Sequence, residues 1–175
     1  MSAPELSRPV RIDMLGQAPR TIDIETSAVE RDALAARFGF ASLSSLSAEV
    51  VLERRLGGVV ARGTVRAALA QSCVVSGDPV EEQVEAPFEV EFRPHPEHDA
   101  EEEIELGEGD LDVIFYDGAS VDVGEAVAET LSLSVEPFPR SPAAEEALRE
   151  AGVKSEEEAR AESSPFAALK GKLGK

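Results

Sequence analysis

Ala48-Glu49-Val50-Val51-Leu52-Glu53-Arg54-Arg55-Leu56, followed by Gly57-Gly58, begins the stretch that decides the fold. Val50, Leu52 and Leu56 fall in step with a period of two, as on a strand with one buried face. A Gly-Gly pair supplies the positive φ angles of a tight hairpin loop, which predicts Leu56 opposite Val59, Leu52 opposite Gly63 and Val50 opposite Val65. On the return strand Val65, Ala67, Leu69, Cys73 and Val75 share that face, and Arg62, Thr64, Arg66 and Ser72 take the other. Ser76-Gly77-Asp78-Pro79 turns the chain again. In the third strand Val84, Ala86, Phe88, Val90 and Phe92 alternate with outward Glu85, Glu89 and Glu91. Ala48 to Phe92 therefore reads as an antiparallel meander whose apolar face needs helices to cover it.

Those helices are found on either side. Ser27-Ala28-Val29-Glu30 has capping-box spacing, and Val29, Ala33, Leu34, Ala36 and Phe38 give the following helix an apolar side before Gly39 ends it. Upstream, Val10 to Leu15 and Thr21 to Ile24 predict a small hairpin, and Ser-rich Ala41 to Leu46 reads as a connector. Downstream, Leu111 to Tyr116 regains strand character and Asp117-Gly118 turns it. Asp122-Val123-Gly124-Glu125 caps a second helix with Val123, Ala126, Val127, Thr130 and Leu131 on one face, stopped by Pro137 and Pro139. Ser141-Pro142 starts a third, with Ala143, Ala147, Leu148 and Ala151 inward and Gly152 beyond its end. The expected architecture is one α+β domain over 1–153, an antiparallel meander sheet covered on one face by helices. An acidic loop at about 94–109 and a tail at 154–175 are expected to lack fixed structure.

Composition narrows the function classes. The formal net charge is −18, and residues 81–110 hold thirteen Asp or Glu against the single base Arg93. Such a chain is not built to bind DNA or RNA by general phosphate neutralisation and favours basic partners. One cysteine, Cys73, excludes an internal disulfide framework; with no secretory pattern at the start and no apolar run of membrane-spanning length, a cytoplasmic protein is expected.

No catalytic constellation stands out. His95, His98 and Asp99 could ligand a metal, but Pro96 breaks the one-face helical spacing such sites use, so no metal or cofactor is expected. Cys73 has no histidine outside that loop to serve as its base and reads as a buried structural thiol. Glu85, Glu89 and Glu91 form a solvated acidic strand face open to a basic partner, with Arg62 and Arg66 beside them. Arg54, Arg55, Arg62 and Arg66 are the local bases able to meet RNA. The tail segment with Phe166, Leu169 and Lys170 reads as a short docking motif.

Two segments resemble the YceD family, the large ribosomal RNA subunit accumulation proteins. One is Cys73-Val74-Val75-Ser76-Gly77-Asp78-Pro79-Val80 with the strand to Phe92. The other runs through Asp122, Gly124, Glu125, Glu129 and Leu131 to Pro137-Phe138-Pro139-Arg140. Phe166-Ala167-Ala168-Leu169-Lys170 resembles a tail also seen in relatives. Many relatives carry a second cysteine where this chain has Ser76, so no two-thiolate site is available here. The resemblance implies a bacterial, cytoplasmic, non-catalytic factor needed for large-subunit ribosomal RNA to accumulate or be processed, acting in ribosome assembly. Its expected partner is a basic ribosomal protein or assembly factor, with ribosomal RNA reached only through local arginines, Arg140 among the partner-facing residues, and no membrane. The alternatives are a metal-assisted enzyme acting on RNA or nucleotides, and an acidic adaptor unrelated to ribosomes.

Overall fold

A computed structural model describes residues 4–95 and 112–153, and the acidic segment and the tail expected from the sequence lie outside them. The chain divides into two compact units. The first comprises Met1–Gln71 with Glu81–Pro137, the second Ser72–Val80 with Phe138–Lys175.

The first unit is built on a five-stranded sheet of strand order β2-β3-β4-β5-β6, formed by β2 (Arg20–Glu25), β3 (Ser42–Arg55), β4 (Gly58–Ser72), β5 (Pro79–Pro94) and β6 (Asp112–Tyr116). β2 and β4 both pair antiparallel with β3, whereas β6 runs parallel to β5. Helix α1 (Ala28–Phe38) links β2 to β3, and α2 (Val123–Ser134) follows β7 (Ser120–Asp122). Val50, Leu52, Val65, Leu69, Phe88 and Phe92 from the sheet join Leu34 of α1 and Val123, Val127 and Leu131 of α2 in one buried cluster. The faces of the meander thus fall as the alternation predicts.

The hairpin register differs from expectation by two residues. Leu52 lies opposite Ala61 and Val50 opposite Gly63, because the loop is Leu56-Gly57 and Gly58 already belongs to β4. Gly57 alone takes a positive φ there, +95°. Gly58 is needed for a different reason: a Cβ on it would lie 2.1 Å from the carbonyl oxygen of Phe92. A shift of two preserves the faces, but it leaves Leu56 fully exposed at the loop tip rather than inward.

The expected N-terminal hairpin does not form. β1 (Pro9–Arg11) pairs with β7, Ile12–Met14 is a 3-10 turn, and β2 pairs with β3. Residues 42–46 are strand rather than connector, with an irregularity between Leu43 and Ser45 that keeps both Leu43 and Leu46 buried although they are three apart. In α1 the Ser27 and Glu30 capping box is present and Gly39 ends the helix at φ +73°. Its buried side chain is Leu34, while Val29 and Ala36 face solvent rather than the core.

In the second unit, β4 ends at Ser72, so Cys73 opens the turn to β5 instead of sitting in a strand. Helix α3 (Ala144–Glu150) starts later than Ser141-Pro142 would place it, and no side chain caps it. Ala144 is its buried residue, and Ala143 and Ala151 are exposed rather than inward.

Candidate functional site

Asp122 is where the family-like residues of the first unit meet. As the N-cap of α2 it accepts from the backbone N–H groups of Gly124 at 3.0 Å and Glu125 at 3.4 Å, satisfying donors that a helix start leaves open. The same carboxylate accepts from the Arg8 backbone N–H at 2.8 Å and from the Ser7 hydroxyl at 2.6 Å. The N-terminal segment is thereby held against the helix, and Leu6 is wholly buried. Gly124 permits the approach, since a Cβ there would stand 2.8 Å from the Leu6 carbonyl oxygen and 2.9 Å from the Arg8 nitrogen.

Charge pairs complete this clamp. Glu125 binds Arg37 through both oxygens, at 2.6 and 3.0 Å, and Arg37 also reaches Glu5 at 2.9 Å. Arg8 binds Glu30 at 2.7 Å. That bond, with the Ser27 backbone N–H behind it, holds the Glu30 carboxyl down at about 2. The carboxyl of Glu129, one turn after Glu125, is pushed up by partial desolvation and then by the Glu125 charge. Leu131 is in the core. Asp122, Gly124, Glu125 and Leu131 therefore act together in fixing the N-terminal segment and α2. No local pattern around Leu6-Ser7-Arg8 announces this, because their partners lie more than a hundred residues downstream.

In the second unit the Cys73 thiol is buried in a turn and accepts from three backbone N–H groups, those of Val75 and Ser76 at 3.4 Å and Ser141 at 3.3 Å. The Ser141 N–H first, then the Ser76 hydroxyl and N–H, lower its pKa to about 6. Ser76 and Ser141 share a hydroxyl contact of 3.1 Å. The Val74 N–H donates to the Pro139 carbonyl. Pro79 begins β5, and Arg140 is exposed with no ion pair among the described residues. Pro137 lies in the first unit and is exposed.

The open face of the sheet holds the acidic strand residues and the arginines in a ladder. Arg62 pairs with Glu89 and, at 3.4 Å, with Glu53; Arg66 pairs with Glu85 at 2.9 Å; Arg93 pairs with Glu91 at 2.7 Å; Arg55 pairs with Glu53 at 3.0 Å. Glu85, Glu89 and Glu91 are thus brought against bases, and the face presents alternating signs rather than one. Arg54 departs from the sequence grouping, since strand alternation sends it to the face opposite Arg55. Glu53 serves both Arg55 and Arg62, and a lone acid between Leu52 and Arg54 carries no signal of this in the sequence.

His95 is exposed and its ring stacks on Phe115 with centroids 5.3 Å apart. His98, Asp99, Phe166, Leu169 and Lys170 lie outside the described residues. Among the described residues no group of three or more His, Cys, Asp or Glu is placed to hold a metal ion, and no helix is long and apolar enough to cross a membrane.

The sequence model of the family described as large ribosomal RNA subunit accumulation protein YceD matches residues 61–171, well over half the chain. Neither a curated protein nor a solved structure matches.

Proposed function

The chain belongs to the YceD family, and on that premise we propose that it supports accumulation of large-subunit ribosomal RNA in the cytoplasm as a non-catalytic factor that binds a basic ribosomal protein or assembly factor. The family description ties the protein to large-subunit ribosomal RNA. Binding as its mode of action rests on one observation: residues 96–111, between β5 and β6, carry eight carboxylates and no Lys or Arg. The open sheet face supplies less of that attraction, because its Glu85, Glu89 and Glu91 are already paired with Arg66, Arg62 and Arg93. Like charges concentrated in one stretch of sequence steer a Lys- and Arg-rich partner, at rates that fall as salt rises.

The test uses the tagged full-length chain in native lysate, with and without ribonuclease, beside a variant whose eight carboxylates in 96–111 are changed to amides. Large-subunit proteins retained after ribonuclease by the wild type and lost by the variant support the reading. Equal retention by both, or loss of all ribosomal material on ribonuclease treatment, overturns it.

A further inference from the structure

Acids outnumber bases by 35 to 17 in this chain, so an arginine left without a carboxylate is unexpected. Arg8, Arg11, Arg37, Arg55, Arg62, Arg66, Arg93 and Arg149 all sit in ion pairs. Arg20, Arg31, Arg54 and Arg140 make none among the described residues; Arg31 instead donates to the Thr26 carbonyl, and of the exposed three only Arg20 and Arg54 share an end of the sheet.

Their positions are related. Arg20 lies directly opposite Leu52 in the β2–β3 register, and Arg54 follows Leu52 by two residues on β3. Cross-strand partners and alternate residues share a face, so Arg20 and Arg54 stand on the same side of the sheet, at the end where β2 begins and β3 finishes. Arg54 there lines an open recess of about 330 Å³ with Leu15, Gly16 and Gln17. No acid lines it. Gln17 adds a neutral carboxamide donor, and Gly16 leaves the wall open, with nothing within 4 Å of where its Cβ would be.

We propose that Arg20 and Arg54, beside the Leu15–Gln17 recess, form an oxyanion subsite that takes a phosphate group of an RNA chain. Arg54 lines the recess and Arg20 stands diagonal to it on the neighbouring strand and the same face, so two planar guanidinium forks, each suited to bidentate contact with a tetrahedral oxyanion, belong to one end of the sheet. RNA is the source that the family description favours. The overall charge of −18 opposes this only at long range, because at physiological salt charges beyond about 8 Å are largely screened and the nearest groups decide. The subsite does not depend on the basic-partner reading, which rests on residues 96–111.

Fluorescence anisotropy with a labelled single-stranded RNA, on the full chain over a salt series centred on physiological ionic strength, tests the assignment. The Arg20→Ala/Arg54→Ala double variant should weaken binding about tenfold and reduce the salt slope by about 0.7, the share of one neutralised phosphate on a single strand. Arg55→Ala, on the opposite face, should stay within twofold, and inorganic phosphate should compete with the RNA. The proposal is overturned if the wild type does not bind RNA, if the double variant binds as well, or if Arg55→Ala weakens binding equally. Inorganic phosphate binding without RNA binding overturns the RNA assignment. Because both arginines are exposed, the variants should melt like the wild type. Retention of basic partners by the double variant in the lysate experiment separates failure here from failure of the proposed function.

Discussion

The backbone N–H of Arg8 donates to the Asp122 carboxylate at 2.8 Å, on the same oxygen that caps helix α2. One side chain thus satisfies the start of a helix and the backbone of a segment 114 residues away in sequence.

Asp122→Ala removes both functions and leaves the Arg8 N–H without its acceptor. A lost N-cap costs about 1 kcal/mol and an orphaned donor about 1–3 kcal/mol, so chemical denaturation should show a loss of about 2–4 kcal/mol. Asp122→Asn keeps an acceptor oxygen and should lose less. Equal losses for the two variants would show that the charge, not the acceptor geometry, holds the segment.

Gly57 and Gly58 are adjacent but constrained by different physics. Gly57→Ala meets only the positive φ, which costs about 1 kcal/mol. Gly58→Ala drives a methyl into the Phe92 carbonyl oxygen, where backbone has to shift, and should cost about 3 kcal/mol. Thermal melts of both variants check the order, and a milder effect at Gly58 would contradict the strand packing described.

The lowered Cys73 thiol sets a pH dependence whose sign is fixed. A group whose folded value is depressed stabilises fully above its unfolded value, here 9.0, and loses that contribution as pH falls to about 6. The stability gap between wild type and Cys73→Ala should therefore widen from pH 6 to pH 9 in urea titrations. A gap independent of pH would show that the three N–H donors do not favour the thiolate.

Glu30 acts at the acid end. Its carboxyl, ordinarily near 4.5, is held at about 2 by Arg8 and the Ser27 N–H. Its contribution is complete above 4.5 and vanishes as pH falls towards 2. Glu30→Gln should lower stability at pH 7 and leave it nearly unchanged at pH 2, as followed by denaturation across that range.

The meander was legible because its signal is local: Val84 through Phe92 alternate without a break, and every residue that alternation turns inward is buried or half-buried. Helix starts at Ser27 and Asp122 were legible for the same reason. The register slipped because two adjacent glycines look alike in sequence, while one serves the loop and the other a neighbouring carbonyl. The strand at Leu43 to Leu46 was masked by the extra residue that breaks its period. β1 could not be paired correctly from nearby residues, since its partner β7 is far along the chain. Arg54, Arg55, Arg62 and Arg66 lie on adjacent strands around one turn, but Arg54 and Arg55 take opposite faces and Arg62 and Arg66 are held by glutamates.

The pairing of β1 with β7 also orders events during synthesis. Pro9 emerges early, yet its partner Asp122 is translated more than a hundred residues later, and Leu6 has no finished pocket until Val123 and its helix follow. Contacts of such long sequence separation slow folding and come late. A nascent chain that stalls before residue 120 would already carry every strand of the five-stranded sheet, β2 to β6, yet leave β1 without β7 and its own beginning unfastened and open to proteases.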